Sequence, residues 1–254
     1  IQDTIEGSDY SLRVHYLDED ADEVKEAVRM CREHKPMGIL FLGGNIQYFH
    51  EEFELVNVPC VLVTDRADKL GFRNLASVST DDMAAAEMAV DYLFDHGHRD
   101  IAVIGGDMAL SSPSKYRKAG AKRSFIKHGC EFEEESYAVA RFSYESAYNA
   151  MNRMLASKRS ITAVFAMSDV MAVGAMRAIF DAGLRVPEDI SVIGFDGTLL
   201  ADYYNPKIVT VCQGYEKIAR KSIDLLFGMI DLNKPATHEL VPFSLKNTES
   251  VSSI

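Results

Sequence analysis

Asp196 is the residue whose type and position most directly suggest chemistry. It closes the run GLRVPEDISVIGFDG, Gly183 to Gly197. Gly183 can take the left-handed conformation that ends a helix, and Pro187 blocks its continuation. Ile190, Val192 and Ile193 then read as a strand buried on both faces, which delivers Asp196 beside the permissive Gly194 and Gly197. In open α/β sheets the carboxyl ends of the strands are where ligands bind, so Asp196 is a candidate ligand contact. Asp65 and Arg66 hold the same kind of position after the apolar strand Cys60 to Val63. A carboxylate accepting from two hydroxyls, beside a guanidinium donating in a fixed fork, suits a polyol. A salt bridge on a surface loop reads equally well from position alone.

Asp81 and Asp82 open a helical pattern, where an aspartate caps backbone donors and favours the positive end of the dipole; one of the two is assigned that role. Asp169 reads the same way, as the N-cap of the helix that follows it. Other patterns exclude chemistry. His96 and His98 flank a helix-ending glycine and lack a third ligand nearby, which marks them as solvated loop histidines rather than a metal pair. Gly105 and Gly106 follow a strand, but the spacing is not GxGxxG and no P-loop lysine follows. Ser111, Ser112 and Ser114 do not sit in a GxSxG elbow. No metal, cofactor or nucleotide is expected, and no enzymatic activity.

These residues need elements to hold them. Strand patterns run from Leu12 to Leu17, Met37 to Leu42, Cys60 to Val63, Ile101 to Ile104, Ile161 to Ala166, Ile190 to Ile193 and Ile208 to Cys212, with helical patterns between. Asp20 and Asp22 read as caps of a helix carrying Val24, Ala27, Val28 and Cys31 on one stripe. Asp82 to His96 places Ala85, Met88, Ala89, Tyr92 and Leu93 on one face before Gly97. Such alternation predicts parallel sheets covered by helices. At 254 residues and 47% hydrophobic, the chain can bury one large or two smaller α/β domains. Ile1 to Ser8 reads as the end of an amphipathic helix with no strand before it, as though the chain began inside a βα unit. No apolar run approaches the roughly 20 residues that cross a bilayer. The scattered Cys31, Cys60, Cys130 and Cys212 read as small thiols in a reducing cytoplasm. A net charge of −11 disfavours nonspecific nucleic-acid binding by this segment, so any DNA contact would need another module.

Three segments together resemble one family. AMSDVMAVGAMRAIFDAGLRVPEDISVIGFDG (Ala166 to Gly197), DHGHRDIAVIGG (Asp95 to Gly106) and VPCVLVTDR (Val58 to Arg66) are similar to lactose-repressor-like (LacI/GalR) transcriptional regulators and the related periplasmic sugar-binding proteins. The resemblance extends over essentially the whole chain. It implies two α/β lobes, each a doubly wound parallel sheet of the type I periplasmic-binding-protein-like kind, joined by three crossings, with a ligand in the cleft and closure on binding. The expected division is residues 1–98 with 214–236, and 99–213 with 237–254.

The resemblance also assigns residues. Asp65 and Arg66 match the pair that touches sugar hydroxyls in ribose-binding relatives, and Asp81 and Asp82 match a motif with one member facing the cleft. Arg117, in RKAG from Arg117 to Gly120, matches the R-x-x-G arginine of the second lobe; by residue type alone it reads as a solvated helix-face arginine. Phe142 aligns with the aromatic that covers the ligand's flat face. Ser168 stands where many relatives carry Asn, so the ligand's identity does not transfer, and Gln213 lies at a lobe crossing. The clustered carboxylates are expected to meet Arg66, Arg117 and ligand hydroxyls, because isolated buried charges are costly. The function implied is the effector-sensing, homodimerising core of a LacI-type regulator. It would bind a sugar or similar polyol and change the affinity for operator DNA of a helix-turn-helix lying outside this chain. A periplasmic sugar carrier of an ABC transporter is the alternative; an enzyme using Asp65, Asp81 and Asp196 as acid or base groups finds no supporting nucleophile or metal cluster.

Overall fold

The computed structural model describes residues 1–254 except Asp3, Thr4, Glu6, Glu19, Asp20, Lys158 and Arg159. The cap expected of Asp20 and part of the helical end expected over Ile1 to Ser8 therefore lie outside the described residues. The chain forms two compact units, residues 1–80 with 214–241 and residues 81–213 with 242–254, and passes between them three times.

The boundaries differ from those expected at two places. The helix beginning at Asp82 belongs to the second unit, because it packs along the helix that carries Arg117. The strand His238–Val241 belongs to the first, because it pairs in parallel with Leu75–Thr80.

In the first unit, helix α1 (Glu23–His34) is followed by strands β1 (Ile39–Leu42), β2 (Cys60–Val63) and β3 (Leu75–Thr80). Asp22 caps α1, accepting from the Val24 and Lys25 amides at 3.1 Å each. With β9 (His238–Val241) these strands make a four-stranded parallel sheet, ordered β1-β2-β3-β9. Its two faces feed separate cores. Cys60, Leu62 and Leu75 pack with Val24, Phe49 and Phe53, whereas Val61, Val63, Ala76 and Val78 pack with Ile218, Leu226 and Met229. Burial on both sides is why β2 reads as an unbroken apolar run.

The strand expected over Leu12–Leu17 does not form: the segment is irregular, with Leu12, Val14, Tyr16 and Leu17 exposed. Its alternating pattern suits a half-buried pleated surface, but strand propensity is realised only against a neighbouring strand, and this run pairs with none.

The second unit runs α2 (Asp82–Asp95), β4 (Ile101–Gly105), α3 (Ser112–Lys127), β5 (Tyr137–Val139), α4 (Tyr144–Ala156), β6 (Ala163–Ala166), α5 (Asp169–Asp181), β7 (Ser191–Asp196), the short α6 (Leu199–Tyr203) and β8 (Val209–Cys212). Helix α7 (Tyr215–Leu232) then belongs to the first unit and β10 (Ser244–Lys246) to the second. The six-stranded sheet is ordered β10-β8-β7-β6-β4-β5, with only β10 antiparallel. Helices pack on it in two pairs, α2 with α3 and α4 with α5. Between β4 and β6 the strand order reverses direction, the topological switch at which open α/β sheets bind ligands.

Among the described residues no helix is long and apolar enough to cross a membrane. All four cysteines are free; Cys60 is buried in β2 and the others are half-buried. His98 corrects the solvated-histidine expectation. It is buried, with Nδ1 3.0 Å from the Thr162 hydroxyl and Nε2 donating to the Ser252 carbonyl at 3.0 Å. Burial is tolerated because both ring nitrogens find partners, and it pushes the imidazole pKa down.

Candidate functional site

The carboxyl edge of the second unit's sheet gathers Asp82, Arg117, Asp196 and Gln213 of the predicted residues. Arg117 lies on α3, one helical turn before Gly120. At Gly120 a Cβ would collide with the Met83 carbonyl oxygen of α2, so glycine alone permits this approach of the two helices. The approach brings Arg117 to Asp82, the neighbour of Met83. Both halves of the R-x-x-G motif thereby acquire a physical reason.

Arg117 is only 4% exposed, which corrects the reading of a solvated helix-face arginine. Its Nε donates to Asp82 Oδ1 at 2.7 Å, and Nη1 donates to the Met167 carbonyl at 2.5 Å, at the carboxyl end of β6. Nη1 also lies 3.9 Å from Asp196 Oδ1. The guanidinium carbon stands 3.7 Å from the centroid of the Phe195 ring, a cation–π contact that fixes its plane. On the far side of Asp196, Gln213 Nε2 donates to the same Oδ1 at 2.7 Å. Asp82, Arg117, Asp196 and Gln213 thus form one connected chain of polar contacts across the ends of α2, α3, β7 and β8.

Asp196 is held in an unusual conformation, φ 120°, between β7 and Gly197. The turn after it is bolted by Asp169, which is fully buried. Asp169 Oδ2 accepts from the Thr198 amide and hydroxyl at 2.7 and 2.8 Å, and Oδ1 accepts from Thr210 Oγ1 at 2.6 Å. The Thr210 oxygen in turn accepts from the Gly197 amide at 3.2 Å. Burial raises the Asp169 pKa against these bonds. Sequence reasoning gave Asp169 the wrong role. The N-cap of α5 is Ser168, whose hydroxyl accepts from the Met171 amide at 3.1 Å, leaving the Asp169 side chain to point back onto the β7 turn. Nothing in the local sequence distinguishes the two, because Ser and Asp are equally good caps.

Phe142 follows β5 with its ring edge against Gly106 at the end of β4, where a Cβ on Gly106 would come within 2.9 Å of Phe142 Cε2. Phe142 is 39% exposed, so it is not a core aromatic. Asp81 spends its carboxylate as the cap of α2, accepting from the Ala84 amide at 3.1 Å, whereas Asp82 is the member of the pair that reaches Arg117.

Asp65 and Arg66 sit in the first unit, at the carboxyl end of β2. Asp65 is buried and its Oδ1 accepts from the Arg66 amide at 2.7 Å. Arg66 forks onto Asp68, Nε to Oδ1 at 3.1 Å and Nη2 to Oδ2 at 3.3 Å, which pulls the Asp68 carboxyl below its ordinary value. The loop is pinned from beneath by Ser77, whose oxygen accepts from the Ala67 amide at 3.1 Å and lies 2.9 Å from His238 Nδ1. Among the described residues no group of His, Cys, Asp or Glu is arranged to hold a metal ion.

A polar chain at the carboxyl ends of the strands lies where open α/β sheets generally take their ligands, which makes it a candidate site. Comparison with known proteins agrees: residues 90–251 match the periplasmic binding protein-like domain. The HTH-type transcriptional regulator MalR of Clostridium butyricum is 34% identical over 236 residues, 91% of this chain and 70% of that protein. The HTH-type transcriptional repressor PurR of Pasteurella multocida is 30% identical over 226 residues, 87% of this chain and 66% of that protein. The solved complex of the transcriptional regulator CelR with cellobiose superposes with a TM-score of 0.81 at 26% identity, covering 90% of this chain and 70% of that one. The chain belongs to the LacI family of transcriptional regulators, in the part built on the periplasmic binding protein-like fold. It spans about two thirds of the length of these relatives.

Proposed function

We propose that the chain is the effector-sensing core of a LacI-type transcriptional regulator and that its effector is a sugar or similarly hydroxyl-rich metabolite. The observation that carries this reading is the connected Asp82, Arg117, Asp196 and Gln213 edge, with Phe142 on the same edge. Carboxylate oxygens, an amide and a guanidinium offer the paired acceptors and donors that ring hydroxyls need, and an aromatic ring suits the apolar face of a sugar. Asp65 and Arg66, at the carboxyl end of β2 in the first unit, offer groups of the same kinds. Ser168 contributes less than expected, since its hydroxyl is engaged in capping α5.

In this reading the effector biases an equilibrium between two arrangements of the protein, and a homodimer transmits the bias to paired DNA-reading helices on operator DNA in the cytoplasm. A coupling of about 1–3 kcal/mol is enough for a useful switch. Relatives that are HTH-type regulators weigh against the transport-carrier alternative. The protein binds without chemistry; release of altered sugar would contradict this. The test is a thermal-shift screen over sugars and nucleosides, in which a true effector raises the melting temperature with its concentration. Failure of every polyol to do so at millimolar concentration would refute the reading.

A further inference from the structure

Asp196 presents its carboxylate from a turn that a strand end does not adopt unaided. Its φ of 120° lies in the left-handed half of backbone space, where a residue with a Cβ is strained and stays only if its surroundings hold it. Gly197 follows at φ 73°, packed so closely on β8 that a Cβ would stand 2.6 Å from the Cys212 sulfur. The groups that hold this turn come from another element. Asp169, at the start of α5, accepts from the Thr198 amide and hydroxyl through Oδ2 and from the Thr210 hydroxyl through Oδ1, and the Thr210 oxygen accepts from the Gly197 amide. One carboxylate thus fixes both residues that follow Asp196 and ties them to β8. Gly194 makes room for it: its own φ is not positive, yet a Cβ there would lie 2.6 Å from Asp169 Oδ1. Both glycines of the run GFDG thereby have a reason in the same turn.

We infer that Asp169 is a positioning residue of the effector site: working through Gly197, Thr198 and Thr210, it holds Asp196 in the conformation that sets its carboxylate beside Arg117 and Gln213. This deepens the polyol reading above and rests on its use of Asp196 as an effector contact. Asp169 itself is fully buried, so its side chain is out of a ligand's reach. A carboxylate withdrawn from water costs stability, but its hydrogen bonds are stronger than those of a neutral acceptor, as a strained turn requires. An aliphatic residue in its place would leave the Thr198 amide and two hydroxyls without their acceptor, and Asp196 would relax toward negative φ. Relaxation turns the Asp196 side chain away from Arg117 Nη1 and Gln213 Nε2, so affinity depends on a residue the effector never meets.

The test pairs Thr210→Val, which keeps the shape and deletes the hydroxyl, with Thr210→Ser, which keeps the hydroxyl; Asp169→Ala is the direct but harsher variant. Amide hydrogen exchange at Gly197 and Thr198 reads the turn without any ligand. Calorimetry reads affinity with the polyol of largest thermal shift on the wild-type protein, beginning with glucose, ribose, maltose and cellobiose. Exchange in Thr210→Val and Asp169→Ala is expected to be about tenfold faster and polyol affinity about fivefold lower, with Thr210→Ser restoring both. In the Asp196→Asn background Thr210→Val should cost no further affinity, because the path runs through Asp196; two losses that multiply would show a general structural role and overturn the inference. Unchanged exchange in Thr210→Val, or fast exchange with undiminished affinity, would also overturn it while leaving the polyol reading standing. Wild-type affinity in Asp196→Asn, or no thermal shift with any polyol, defeats that reading and this inference together.

Discussion

Arg117 and Asp82 form a buried ion pair, Nε to Oδ1 at 2.7 Å, with both side chains almost entirely out of solvent. A charge removed from water must keep its partner, and deleting one member leaves the other uncompensated. Arg117→Ala is therefore expected to cost about 3–5 kcal/mol of stability in addition to any loss of binding. Arg117→Lys should lose binding too, since an ammonium cannot keep the fork to Asp82 and Met167 or the stacking on Phe195. Urea unfolding of both variants measures the first effect. A fully stable Arg117→Ala protein would show that Asp82 is hydrated.

Gly120 sets how closely α2 and α3 approach. Gly120→Ala forces a methyl group onto the Met83 carbonyl and is expected to destabilise by about 1–3 kcal/mol. The separation of the helices should move Arg117 from Asp82, so effector affinity is expected to fall although residue 120 is not among the proposed contacts. Denaturation and calorimetry on the same sample check both outcomes.

Strand ends carrying charge were legible because an apolar run followed by Asp196, or by Asp65 and Arg66, leaves few other places for those side chains. Burial on both faces made β2, β4, β6, β7 and β8 readable as continuous apolar segments. Strands β3, β5, β9 and β10 escaped notice for different reasons. Leu75–Thr80 is half hydroxyl residues, and β5 and β10 are three-residue strands at the two sheet edges, where one neighbour suffices. The polar chain of Asp82, Arg117 and Asp196 joins residues far apart in sequence. Only the resemblance to a family pointed to Arg117, because a helix position by itself does not reveal what packs above it. The bolt from Asp169 to Thr198 and Thr210 had no local signal.

Burial lifts the folded-state pKa of Asp169 above the ordinary carboxylate value. A raised carboxyl contributes stability that is full below its unfolded value and is lost as pH rises through its folded one. Asp169→Asn removes that titration, and its amide can donate to Thr210 while its carbonyl serves Thr198. The stability of the variant relative to wild type is therefore expected to improve between about pH 4 and about pH 7, read from urea melts at both values. A constant difference would show that Asp169 keeps an ordinary pKa.

Glu134 titrates in the opposite sense. Hydrogen bonds from Lys118 and then Lys122 hold its carboxyl down at about 2. Its contribution is present above the ordinary glutamate value and disappears as pH falls toward 2. Glu134→Gln should be less stable than wild type at neutral pH and converge with it in acid, because Lys118 is buried beneath the Phe132 and Tyr137 rings and loses its counter-charge. Thermal melts across the acid range test the convergence; parallel curves would contradict the pairing.

The most direct test is calorimetric titration of Asp196→Asn with whichever neutral sugar stabilises the wild-type protein. Asparagine keeps the shape, tolerates the positive φ and still accepts from Gln213, so the unliganded melting temperature should be nearly unchanged. Hydrogen bonds to a charged acceptor contribute about 1.5–3 kcal/mol, so affinity is expected to fall about tenfold to a hundredfold. Wild-type affinity in a folded Asp196→Asn protein would contradict the assignment of this strand end as the effector site.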